Sequence, residues 1–199
     1  VCVPIRMGNI MFGGDGTDTM HGGADMDIMF GNKAGDRMYG NDGGFHILSL
    51  ENLPLFGDWI FSGKGEDEVN GMWGADKIFG GSDNDTLLGD DGSIFAALPL
   101  NPIDDIIFGN TGEDKIYGGR ASDFLFGNSD DDEIYAGRGI YDYSFGNDGD
   151  DKIYGEQGMD LVFGNQGDDK IYGGRGFTDL LFGNRGDDKI WGQRGLDFA

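Results

Sequence analysis

From Pro4 to Ala199 the chain repeats itself every nine residues, and this register constrains its fold more than any other property. Units such as GGDGTDTMH (13–21), GNTGEDKIY (109–117), GGRASDFLF (118–126) and GNRGDDKIW (183–191) align on an aspartate at their sixth position. Nineteen units can be counted, the last one short. Position six is Asn9 in the first unit. In the others it is Asp18, Asp27, Asp36, Asp58, Asp67, Asp76, Asp85, Asp105, Asp114, Asp123, Asp132, Asp142, Asp151, Asp160, Asp169, Asp179, Asp188 and Asp197.

The first six positions carry turn chemistry and the last three carry strand chemistry. Glycine recurs at positions one, two and four, where positive φ would make a side chain clash. Position two is otherwise mostly Asn (Asn32, Asn110, Asn128, Asn147, Asn165, Asn184), which tolerates the left-handed region. Asp25, Asp83 and Asp130 at position four follow the same logic. Ala34 and Ala121 do not, so looser turns are expected there. Position eight is aliphatic almost throughout: Met20, Met29, Met38, Ile78, Ile116, Ile153, Val162, Ile171, Leu181, Ile190. A three-residue strand then points its middle side chain inward. Two units make one coil of turn, strand, turn, strand, and the coils stack into an all-β, parallel β-roll expected to span 4–199.

The core of such a roll is a single column per strand, each side chain contributing about 1.5–3 kcal/mol. That is thin for a chain with 40 glycines and a net charge of −23, a composition usually associated with disorder. A further stabiliser is needed. The sign of the charge excludes a basic nucleic-acid surface, and no apolar run is long enough to span a bilayer. Cys2 is the one cysteine and cannot form an internal disulfide. His21 and His46 lie in no metalloprotease or hydrolase motif, and no nucleophile–base pair is visible, so the chain is expected not to be an enzyme.

The repeat resembles the calcium-binding nonapeptide of RTX (repeats-in-toxin), or haemolysin-type, proteins, whose pattern is G-G-x-G-x-D-x-U-x. The resemblance implies a right-handed solenoid stabilised by several calcium ions between the turns of adjacent coils. It also implies that turn carbonyls and the position-six carboxylates of units n and n+2 are the ligands, the oxygen set a hard cation takes. Stacked strands bring those carboxylates to about 4.8 Å. Two bare charges at that distance repel by about 3 kcal/mol at an effective dielectric near 20. The ion-free chain is therefore expected to be expanded, with calcium binding as its folding reaction. The second aspartate of GDDKIY (Asp150, Asp168, Asp187) is expected to be a solvated charge, partly offset by the following lysine, rather than a ligand.

Sorting units by parity separates two faces. Odd units close with Phe12, Phe30, Phe61, Phe79, Phe108, Phe126, Phe145, Phe163 and Phe182. Their position seven is apolar too (Ile10, Ile28, Trp59, Ile106, Phe124, Tyr143, Leu161, Leu180, Phe198), with Lys77 the exception. Even units carry Thr, Arg, Glu or Lys at position seven and often close with Tyr (Tyr39, Tyr117, Tyr135, Tyr154, Tyr172) or Trp191. One sheet is expected to be wet and the other greasy, beyond the few hundred Å² of apolar patch a monomer usually exposes. The alternative turns positions seven and nine of odd strands inward, which would crowd a narrow roll. Insertions at 44–57 and 93–104, both apolar and both containing Leu-Pro-Leu, fall in odd-unit turns and are expected to cover part of the greasy face or dock on a neighbour.

Two functions follow from these features. The first is an extracellular or cell-surface structural or adhesive rod, associating through its Phe-lined sheet into a fibre, sheath or surface layer. The second is the export and folding module of a secreted enzyme or toxin, with the catalytic part elsewhere. Val1 follows no initiator methionine and no signal-peptide pattern, so a processed product or a piece of a longer array is expected. Carbohydrate contact by the Tyr column is a weaker reading than ordinary cross-strand ladders. Ice binding would need a regular row of Thr, and the even face offers only Thr19 and Thr86. The glycosylation sequon Asn84-Asp85-Thr86 sits inside a tight turn and carries little weight.

Overall fold

A computed structural model describes residues 7–23, 26–40, 57–72, 74–90, 105–176 and 178–199. Cys2, Asp25, His46 and both long insertions (apart from Gly57) lie outside them. The fold is an all-β parallel solenoid of about eight turns. The described strands form a nine-stranded sheet from the odd units and a ten-stranded sheet of nine even-unit strands plus a short strand, Gln157–Gly158, from the turn of the fifteenth unit. Each strand pairs in parallel with the strand two units away. Phe124–Ser129, for example, lies between Ile106–Thr111 and Tyr143–Asp148.

Position eight points inward in both sheets. Met29, Ile60, Ile78, Ile107, Leu125, Val162 and Leu181 from odd units are fully buried, as are Met38, Val69, Leu87, Ile116, Ile134, Ile153 and Ile171 from even units. The alternative with inverted odd strands is thus excluded. Ser144 occupies one place in the column, and its buried hydroxyl has no partner.

The outward phenylalanines form one ladder. Neighbouring rings from Phe12 to Phe182 stack face to face, with centroids 4.7 to 5.2 Å apart. Identical residues in register on parallel strands have no other arrangement at the strand spacing. The greasy sheet is therefore less bare than composition implies. Interior rings hide both faces in the stack and are half-buried, whereas Phe12, with one neighbour, is 68% exposed. Lys77, the exception at position seven, lies over the Trp59 ring at 5.3 Å, a cation–π contact. On the other sheet Tyr117, Tyr135, Tyr154, Tyr172 and Trp191 stack in the same way.

The turns are more uniform than expected. Ala34 and Ala121 do not loosen them: both adopt positive φ (66° and 73°), like Asp83 (80°) and Asp130 (79°). The hydrogen bonds between coils fix the turn path, and the alanines absorb the strain.

The two edges of the roll differ in charge. Position five of even units places Glu66, Glu113, Asp131, Asp150, Asp168 and Asp187 along one exposed edge. Position three of odd units places Arg120, Arg138, Arg175 and Arg194 along the other.

Candidate metal centre

Every position-six aspartate falls in one of two ladders, one along each edge. The backbone N–H of each, save the last in its ladder, donates to Oδ1 of the aspartate two units on. Along the even edge Asp18 donates to Asp36 (2.7 Å), Asp36 to Asp67 (2.6 Å), Asp67 to Asp85 (2.9 Å) and Asp85 to Asp114 (2.7 Å). The row continues through Asp132, Asp151 and Asp169 to Asp188. Along the odd edge it runs from Asp27 through Asp58, Asp76, Asp105, Asp123, Asp142, Asp160 and Asp179 to Asp197. One carboxylate oxygen is thus spent on the neighbouring backbone.

The other oxygen is not. Oδ2 of Asp27, Asp36, Asp58, Asp67, Asp85, Asp114, Asp132, Asp151, Asp160, Asp169 and Asp179 is buried and accepts no hydrogen bond. Such a row of unsatisfied acceptors has no place in a finished interior. Except at Asp67, whose unit begins with Ser62, Oδ2 also crowds against the glycine at position one of its own unit, and at all of these but Asp169 the position-one carbonyl two units on lies there too. A Cβ at Gly80 would lie 2.5 Å from Asp85 Oδ2 and 2.8 Å from the Gly109 carbonyl. At Gly173 it would lie 2.7 Å from Asp179 Oδ2 and 2.8 Å from the Gly192 carbonyl. Glycine at position one therefore keeps two acceptors close together, rather than only supplying turn flexibility.

Two acceptors need a donor or a cation between them. The first unit shows the donor solution: its Asn9 gives the side-chain amide to the Gly22 carbonyl at 3.0 Å. An ionised aspartate has no hydrogen to give. Burial, reinforced at most of these sites by the neighbouring carboxylates and opposed by the N–H bonds, pushes the carboxyls up. Asp58, Asp85, Asp132 and Asp160 reach about 8, Asp151 about 7, and Asp114 and Asp169 about 6. Asp36, Asp67 and Asp179 rise as well, with burial the leading cause. These are carboxylates lacking their counter-charge. Among the described residues no three His, Cys, Asp or Glu side chains converge on one point, so the remaining ligands of any ion are neutral oxygens, of which the position-one carbonyls lie nearest.

The sequence model of the RTX calcium-binding nonapeptide repeat matches residues 9–44, 56–92, 108–140, 145–177 and 174–199. The chain belongs to the RTX calcium-binding repeat family. RTX nonapeptide repeats are calcium-binding β-rolls, and the donor set here, carboxylate and carbonyl oxygen with no nitrogen or sulfur, is the kind a hard cation selects. No curated protein matches the chain.

Sequence reasoning missed a third row in this RTX roll. The position-five carboxylates of GDDKIY are not simply solvated and offset by lysine. Asp131 Oδ1 accepts the N–H of Asp150, Asp150 Oδ1 that of Asp168, and Asp168 Oδ1 that of Asp187, each at 2.8 Å. Among the described residues no ion pair joins Asp150, Asp168 or Asp187 to Lys152, Lys170 or Lys189. The signal was available, because sorting the turns by parity, and not only the strands, isolates this acidic column on even units.

Proposed function

We propose that this roll is an extracellular structural or adhesive element that folds on calcium and associates through its Phe-lined sheet. The observation that carries the calcium part is the row of buried Oδ2 atoms without a donor, most of them held beside a position-one carbonyl. When bound, calcium supplies the positive charge and the demand for six to eight oxygens that such pairs can meet. The chain's own part is to align Asp Oδ2 and carbonyl oxygens by backbone pairing, exclude water from them, and leave room through glycine. Among the described residues there is no helix long and apolar enough to cross a membrane. RTX repeat proteins are typically secreted, and a calcium-rich exterior is where a chain of charge −23 could condense.

The Phe ladder supports the association part. Its stacked edges form a flat apolar stripe along the roll, and Trp59, Leu180 and Phe182 stand 40%, 41% and 41% exposed beside or within it. A second copy offers the same stripe at the same coil spacing. The alternative, a folding module docked on a catalytic domain, uses the same stripe against a different partner. Light scattering across a calcium titration separates them. Assemblies that grow with calcium, and are lost on replacing Phe108 and Phe126 by Ser, support association. A folded monomer at all calcium concentrations refutes it.

A further inference from the structure

One unit of the odd edge departs from the pattern just described. The thirteenth unit, AGRGIYDYSF (136–145), begins with Ala136 in place of glycine and contains one extra residue. Ala136 is fully buried and belongs to the core. Its methyl occupies the place against which the other units press Oδ2. Asp142 is as buried as its counterparts, at 1% exposure. Its Oδ2 nevertheless has a donor, the Gly139 N–H of the same turn at 3.3 Å. The next ladder bond, Asp142 N–H to Asp160 Oδ1, is 3.3 Å, longer than the 2.6 Å between Asp58 and Asp76 on the same edge.

Two other units show which departure matters. The seventeenth, GGRGFTDLLF (173–182), has the same extra residue but keeps Gly173, and Asp179 Oδ2 remains without a donor. The sixth begins with Ser62, whose hydroxyl donates to the Gly80 carbonyl, yet Asp67 Oδ2 remains without a donor. Neither the insertion nor a polar Cβ substituent closes a junction. The alanine methyl, with Gly139 turned toward the carboxylate, does.

We infer that the junction headed by Asp142 takes no calcium ion, so the odd-edge row is interrupted at the thirteenth unit while the junctions of Asp58, Asp160 and Asp179 carry one. This rests on the calcium reading of the ladders. Replacing Ala136 by Gly turns AGRGIYD into GGRGIYD, the GGRGxxD pattern of the seventeenth unit, with space for Oδ2 to take the position it has there. Gly173→Ala does the reverse, placing a methyl 2.7 Å from Asp179 Oδ2.

Native mass spectrometry of the full chain in saturating calcium reads the number of bound ions directly. A136G is expected to bind one more ion than the unsubstituted chain, and G173A one fewer. A crystal structure of the unsubstituted chain in calcium, phased to show the ions, is expected to place one beside Asp160 and none beside Asp142, and needs no variant to fold. An ion at Asp142, or an unchanged count in folded A136G, overturns the inference. A chain that binds no calcium at all instead overturns the reading on which it rests.

Discussion

Without calcium, acid should fold this chain and neutral pH should unfold it, the opposite of ordinary acid denaturation. Folded Asp132 and Asp160 keep their protons up to about pH 8, against 3.8 in the unfolded chain. Burial is the first cause at both. At pH 7 the unfolded chain has released those protons and the folded chain must hold them. At about 1.4 kcal/mol per pH unit this costs about 4 kcal/mol for each group. At pH 5 the cost falls to about 2 kcal/mol each, and below 3.8 it vanishes. The ion-free roll therefore has its full stability below pH 3.8 and loses it as pH rises through 8. Two groups alone then approach the whole stability of a typical domain, about 5–15 kcal/mol. Replacing Asp132 by Asn removes one of these proton uptakes. The amide can still accept the Asp114 N–H, and can donate to the Gly146 carbonyl as Asn9 does to Gly22. In chelator D132N should therefore stay folded to higher pH, while in calcium it should need roughly tenfold more ion, about 1.4 kcal/mol. Circular dichroism and small-angle scattering from pH 5 to pH 8 read both effects, at low concentration because the isoelectric point is near 4.1. A compact β-roll at pH 8 in excess chelator would refute the reasoning.

Three further outcomes are expected. Ala34→Gly and Ala121→Gly relieve positive-φ strain and should each raise stability in calcium by about 1 kcal/mol, read from urea midpoints. Phe126→Ala removes ring contacts at 4.7 and 5.0 Å on its two sides and should cost about 2–4 kcal/mol in a calcium-saturated melt. Ile134→Ala opens a cavity in a column one side chain thick and should cost about 2–5 kcal/mol, without changing the number of ions bound.

What the sequence revealed about the fold was whatever the nine-residue period determines by itself. Position eight turns inward, position six collects on two edges, and parity divides the sheets. All three need only the repeat and the alternation of a strand. The missing parts lay in contacts between coils. The phenylalanines look exposed when counted along the chain, and become half-buried once each ring meets the one above and below. Oδ1 of Asp85 is committed to the Asp67 N–H, so half of each expected ligand is already occupied, and composition gives no sign of it. Ala34 and Ala121 looked like places for the turn to relax, because local preference was weighed without the inter-coil hydrogen bonds that override it. Ala136 stands out only once the space beside the carboxylate of its own unit is known.

The unlike edges have a consequence for two such rods side by side. Carboxylates of even units run along one edge and arginines of odd units along the other, so the molecule carries an electric dipole across its width, perpendicular to its axis. At ionic strengths where the screening length is about 8–10 Å, this field is felt only at close approach. There it favours rods that face the same way, arginine edge against acidic edge, and opposes the reversed neighbour. Both edges advance by one charge per coil where the rows are complete, so a slide of a whole coil preserves most of the matches. Rods associating as proposed would therefore align in direction more strongly than in axial position.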